Sequence, residues 1–348
     1  MIRLPRSGDY FVQKLLELGR QVRGAVLAAR GESRGLAGVS RETGADTIYQ
    51  IDAHVEPILV DFCEKWGREL PLVMIAEGLG EGEGSAEGKM VFPQGTPEAE
   101  ARVRIICDPI DGTRGIMYDK RAAWFLAGVA PNRGDRTRLS DIDAAVQVEI
   151  PTSKQSRMDL LWAVRGGGAF AVREEMKGTT VEKQWPLPLA PSGAENIDHG
   201  FASISNFFPG TKELASRLME RIVESALASG GSLDLSRGMV FEDQYISTGG
   251  QLYELIVGHD RFNADLRPLF YRMRGLPVGL CVHPYDVASL LVATEAGVVV
   301  TDGLGKPLEG PLDVTTPLHW AGFANAALQA RIEPVLTETL HSWLAGGV

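Results

Sequence analysis

Three short apolar runs, Leu72 to Ala76, Val103 to Cys107 and Ala123 to Val129, constrain this chain more than any other feature. Runs of this length, rich in Val and Ile, read as buried strands and are too short for core helices. The first two run directly into an acid, Glu77 and Asp108. Further strands are predicted at Ala144 to Ile150 and at Leu160 to Val164, the latter closing on Gly166-Gly167-Gly168. Between and around them lie helical periodicities. Phe11, Leu15, Leu18, Val22 and Val26 share one face of a segment over 11–30, and Val55, Leu59, Phe62 and Trp66 share another that opens near Asp52. Asp at that position is a good N-cap, although Pro57 leaves the first turn unspecified. Residues 173–200 are polar and proline-containing and read as a connector. Beyond them, helices are expected from Thr211 and from Gly249, a strand over Gly279 to Val282, a helix from Asp286 to Ala296 ended by Gly297, and a strand from Val298 to Thr301. The class is mixed α/β.

With 348 residues, two lobes or one large layered domain are expected. A formal charge of -10 repels polyanions, and no basic patch overrides it, so nucleic acid is not an expected partner. Cys63, Cys107 and Cys281 are odd in number and share no Cys-x-x-Cys spacing, which argues for a reducing compartment and against a thiolate zinc site. No apolar run approaches a membrane span, so no membrane partner is expected and the cytoplasm is the expected location.

The chemistry concentrates in Asp108-Pro109-Ile110-Asp111-Gly112-Thr113. Pro109 stiffens the turn after the strand and Gly112 admits a backbone geometry closed to other residues, so two carboxylates can converge. Hard oxygen ligands of this kind suit magnesium, which bridges protein carboxylates to substrate phosphate. A short helix starting at Gly112 or Thr113 would aim backbone amides at that phosphate. Taken alone, the segment could be an Asp-rich turn. Glu77, Asp52 and Asp286, each at the end or start of an element, turn it into a candidate metal cage.

Together with Tyr285-Asp286-Val287-Ala288 and Glu295-Ala296-Gly297, the segment resembles the inositol monophosphatase family, whose relatives include fructose-1,6-bisphosphatase and phosphoadenosine phosphate phosphatase. The resemblance spans roughly residues 10 to 310 and implies a layered αβαβα sandwich. An N-terminal lobe, 1–198, would carry the acid motif; a C-terminal lobe, 199–348, would carry Asp286 and part of the substrate pocket. It implies two or three magnesium ions: Glu77, Asp108 and the Ile110 carbonyl would hold one, and Asp108, Asp111 and Asp286 a second. Asp52 and Thr113 would orient and deprotonate the attacking water. Asp111, Gly112, Thr113, Gly249, Gly250 and Gln251 would line the substrate pocket. The implied activity is magnesium-dependent hydrolysis of a small-molecule phosphate monoester, with homodimerisation as a further implication. Two positions depart from the family pattern: Gly78 stands where a second glutamate is usual, and Tyr285 where a tryptophan is.

Competing patterns are weaker. Asp141 and Asp143 form an Asp-x-Asp without the Gly-Thr that a nucleophilic-aspartate phosphatase requires, and Gly166-Gly167-Gly168 reads as a tight turn, since charged residues follow it where a dinucleotide fold needs a helix. The six histidines form no His-Glu-x-x-His, and no Gly-x-Ser-x-Gly elbow occurs. Arg261, Arg267, Arg272 and Arg274 read as solvated surface cations. A noncatalytic phosphate-ligand binding protein is the alternative in another functional class.

Overall fold

A computed structural model describes residues 8–32, 39–42, 47–49, 54–80, 88–178, 180–228, 233–234 and 236–346. Helix α1 (Gly8–Glu32) carries the predicted stripe, and Phe11, Leu15, Leu18, Val22 and Val26 are all buried. A hairpin of β1 (Val39–Glu42) and β2 (Thr47–Tyr49) follows. Helix α2 (Glu56–Glu69) opens with Pro57 in its first turn, where the missing N–H costs nothing, and buries Leu59, Phe62 and Trp66. Asp52, expected as its cap, lies outside the described residues.

An eight-stranded sheet follows from β3 (Leu72–Ala76), β4 (Lys89–Phe92), β5 (Val103–Asp111), β6 (Ala123–Pro131), β7 (Ala144–Ile150), β8 (Arg157–Val164), β9 (Ala169–Lys177) and β10 (Thr180–Pro186). Its spatial order is β10-β9-β8-β7-β6-β5-β3-β4. Neighbours are antiparallel except β3 and β5, which run parallel. Strands β3, β5 and β6 fall on the three apolar runs, and their residues are buried almost throughout because helices cover both faces. The expected connector over 173–200 is corrected at its start. Residues up to 186 extend the sheet as β9 and β10, and β10 is so exposed that it has no apolar stripe to betray it.

After the one-turn helix α3 (Thr113–Met117) between β5 and β6, the second half builds β11 (Gly200–Ile204), α4 (Lys212–Ala228), β12 (Val240–Phe241), α5 (Thr248–Ile256), β13 (Asp260–Asp265), α6 (Arg267–Met273), α7 (Leu290–Glu295), β14 (Val299–Thr301), β15 (Trp320–Phe323) and α8 (Ala326–Leu344). Its mixed sheet runs β12-β11-β13-β15-β14. Residues 279–282 form no strand; Val282 makes a lone bridge to Leu318. The helix expected from Asp286 divides into a 3-10 turn, Pro284–Val287, and α7.

The layers stack as αβαβα. Helices α1 and α2 cover the outer face of the large sheet over one apolar cluster. Helices α5 and α7 lie between the two sheets, and α4 and α8 cover the far face of the small sheet. The Gly166–Gly168 turn joins β8 to β9, and its Gly166 and Gly168 amides donate to the Glu295 carboxylate at 2.7 and 2.8 Å. Among the described residues, no helix is long and apolar enough to cross a membrane. All three cysteines are buried and free.

Candidate active site

Strand pairing explains why the acids meet. The parallel register sets Ala76 beside Cys107, so the next residues, Glu77 and Asp108, emerge at the same sheet end. Asp108 and Asp111 are three apart, and on a regular strand residues three apart face opposite ways. Here β5 carries one extra residue: Asp108 pairs with Leu126 and Asp111 with Trp124, so three steps on β5 match two on β6. This bulge returns both carboxylates to one side. Asp286 arrives from the 3-10 turn packed against β5 and β6, where its carboxylate accepts the His283 N–H at 2.6 Å. One carboxylate oxygen from each of Asp108, Asp111 and Asp286 lies within 4.8 Å of the others, and Glu77 lines the same cleft.

The electrostatics are those of a crowded anionic site. Burial pushes the Asp108 carboxyl well above the usual carboxylate range, and the negative charges of Asp111, Asp286 and Glu77 push it further. Asp108 accepts a hydrogen bond from the Ile110 N–H at 2.9 Å. Burial also raises Asp111, to about 6, against three donors that favour its charged form. These are the Ser247 hydroxyl at 2.8 Å, the Gly249 N–H at 2.5 Å and the Thr248 N–H at 3.3 Å.

The donors belong to the first turn of α5. Ser247 is its N-cap and accepts the Gly250 N–H at 2.8 Å. Gly249 admits the close approach: a Cβ there would stand 2.6 Å from Leu126 and 2.9 Å from the Asp111 carboxylate. From below, the buried Gln147 side chain donates to the Gly249 carbonyl at 2.7 Å. Gly112, at φ +94°, turns the chain from β5 into α3, and the Thr113 hydroxyl donates to the Ile110 carbonyl at 2.7 Å.

Of the site residues named from sequence, Glu77, Asp108, Ile110, Asp111, Gly112, Thr113 and Asp286 all line one cleft. Gly249, Gly250 and Gln251 do not. Gly249 and Gly250 lie under Asp111 and Tyr245, and Gln251 is buried with its amide on the Ser205 hydroxyl at 3.0 Å. The preceding residues, Ile246, Ser247 and Thr248, line the cleft in their place. Asp52 lies outside the described residues. Sequence reasoning passed over Ser247, though a Ser before a helix-opening Gly-Gly is an N-cap signature. It also passed over Phe207 and Phe208 and misread Arg267, which is 4% exposed and bound to Asp265. Asp141 and Asp143 are occupied by Arg133 and Arg165.

No protein-family model and no curated protein matches the sequence, but solved structures match its fold. Extragenic suppressor protein SuhB from Bartonella henselae aligns with a TM-score of 0.59 at 17% identity, over 94% of this chain and 99% of its own. A Thermotoga maritima IMPase aligns at 0.56 and 17% identity, over 96% and 98%. Inositol monophosphatase II from Staphylococcus aureus aligns at 0.59 and 14%, over 95% and 98%. The chain has the inositol monophosphatase fold. Within that fold the acid cluster sits at the end of β3 and β5, where the large sheet meets the first turn of α5.

Proposed function

We propose that this protein is a magnesium-dependent phosphatase of the inositol monophosphatase family, hydrolysing a small-molecule phosphate monoester. The observation that carries the reading is the convergence of Asp108, Asp111 and Asp286, with Glu77, in one cleft. Their chemistry fits a hard divalent cation: the ligands are all oxygen, two of the three clustered carboxylates are buried, and their mutual repulsion calls for positive charge between them. Glu77, Asp108 and the Ile110 carbonyl would hold one ion, and Asp108, Asp111 and Asp286 another. Magnesium bound there would activate water, offset phosphate charge and stabilise the leaving oxygen.

The protein's own groups supply position. Ser247, Thr248 and Gly249 fix the direction of the Asp111 carboxylate before any ligand arrives, a preorganisation that avoids reorienting dipoles during reaction. The bulge at Pro109 and Ile110 keeps Asp108 and Asp111 facing the same space. By the family resemblance, Thr113, at the head of α3, and Asp52 would orient and deprotonate the attacking water, since a hydroxyl is a poor base without a carboxylate to take its proton.

The test is phosphate release by the full chain from a panel of monoesters. Magnesium supports turnover, chelation abolishes it, and Asp108→Asn lowers it by about 100-fold or more, the scale of removing one preorganised electrostatic group. Full turnover in excess chelator, after verified metal removal, contradicts the reading.

A further inference from the structure

Two phenylalanine rings line the same cleft as the acids. Phe207 and Phe208, in the loop after β11, stand nearly perpendicular, with ring centroids 5.8 Å apart and planes at 85°. Both rest on one guanidinium. The Arg267 Cζ lies 5.0 Å from the Phe207 centroid and 5.2 Å from that of Phe208. Arg267 is itself immobilised: its Nε donates to Asp265 at 2.8 Å, its Nη2 also bonds Asp265, and its Nη1 donates to the Leu280 carbonyl at 2.8 Å. Arg114 lies 5.6 Å from the Phe208 centroid.

The loop that carries the rings is pinned. The Tyr271 hydroxyl donates to the Pro209 carbonyl at 3.3 Å, Arg274 donates to the Gly210 carbonyl at 2.9 Å, and the Asn206 N–H donates to Gln244 at 2.9 Å. The rings are therefore placed before a ligand binds, and Ile246 and Leu280 line the same cleft. Among the described residues lining the cleft, the side-chain acceptors include the four carboxylates and the hydroxyls of residues such as Ser247 and Thr248 at the head of α5, and neither phenyl face offers one. A polyol hydroxyl turned against either phenyl face finds no acceptor there, whereas a flat ring loses no hydrogen bond and gains a stacking surface.

We propose that the cleft takes a phosphate monoester whose alcohol carries a flat aromatic or heteroaromatic ring, seated against Phe207 and Phe208, in preference to a polyol monoester. This rests on the phosphatase reading and narrows its substrate class. The guanidinium under the rings withdraws electron density from their faces, which suits electron-rich heteroaromatic rings such as nucleobases.

The experiment compares kcat/KM, with magnesium, for the 2′-, 3′- and 5′-monophosphates of adenosine against the matching ribose monophosphates and inositol 1-phosphate. Each adenosine–ribose pair shares its leaving oxygen, so the ratio reads the ring. The best adenosine ester is expected to lead its ribose counterpart by roughly 10- to 100-fold, chiefly through KM, on the scale of base–aromatic stacking. Phe207→Leu with Phe208→Leu keeps apolar volume, removes the flat faces and should collapse that ratio. If the double variant does not fold, the ratio in the parent protein still decides. A ribose or inositol ester cleaved as well as the adenosine ester overturns this inference and leaves the phosphatase reading standing; no cleavage of any monoester overturns both.

Discussion

Asp108 and Asp111 lie on the same strand, on the same side and in the same cleft, yet the protein treats them in opposite ways. Asp111 meets a hydroxyl and two backbone amides from the head of α5, all placed by an N-cap serine and a glycine that lets the helix close in. Asp108 meets Asp111, Asp286 and Glu77, with one backbone amide in return. The protein thus meets one carboxylate with its own donors, while the other, crowded by like charges, is the one that most calls for an external cation. The contrast separates two duties that a list of acidic residues would merge: Asp111 anchors the site's geometry, and Asp108 creates its demand for charge.

The largest expected effect on that contrast is in the metal-free protein. Burial lifts Asp111 from 3.8 to about 6, so its contribution to stability is full below pH 3.8 and is lost as pH rises through about 6. A tenfold change in proton affinity is worth about 1.4 kcal/mol, so the loss across this range is on the order of 3 kcal/mol. Urea denaturation of metal-free protein over the same pH interval should show stability falling with pH, and Asp111→Asn should remove that part of the slope. Saturating magnesium should flatten it too, since a cation favours the ionised form. A slope unchanged in Asp111→Asn would mean that the carboxylate is not desolvated as described.

A smaller effect tests the wiring. Ser247→Ala deletes both the hydroxyl donor to Asp111 and the cap on the Gly250 N–H, and should cost about 1 kcal/mol, as for other N-cap losses. Thermal unfolding checks it. Parental stability in Ser247→Ala would show that α5 holds Asp111 by its backbone alone.

Much of this arrangement was legible in the sequence where a residue's role follows from its neighbours in the chain. The apolar runs over 72–76, 103–107 and 123–129 predict strands because burial on both faces leaves no polar alternation. The stripe from Phe11 to Val26 gives α1 for the matching reason. Asp108, Asp111 and Asp286 were nameable because they sit at strand and turn boundaries in a recognisable motif. The bulge that makes Asp108 and Asp111 face together was not readable, since it exists only relative to β6. The placement of Gly249 and Gly250 below the cleft follows from Leu126 and Tyr245, which are distant in sequence. Arg267 looked like one of four surface arginines until Asp265, Phe207 and Phe208 closed around it. The exposed strand β10 carried no periodic signal at all.

The central claim, that the acid cluster is a cation site whose demand for charge centres on Asp108, is tested most directly by calorimetric titration of magnesium into metal-free protein. The parent should bind the ion and unfold at a higher temperature with it, gaining about 2.7 kcal/mol at a hundred times the Kd. Asp108→Asn, folded by circular dichroism, should lose both the heat of binding and the thermal shift. Magnesium binding by Asp108→Asn with the affinity and stabilisation of the parent would contradict the account.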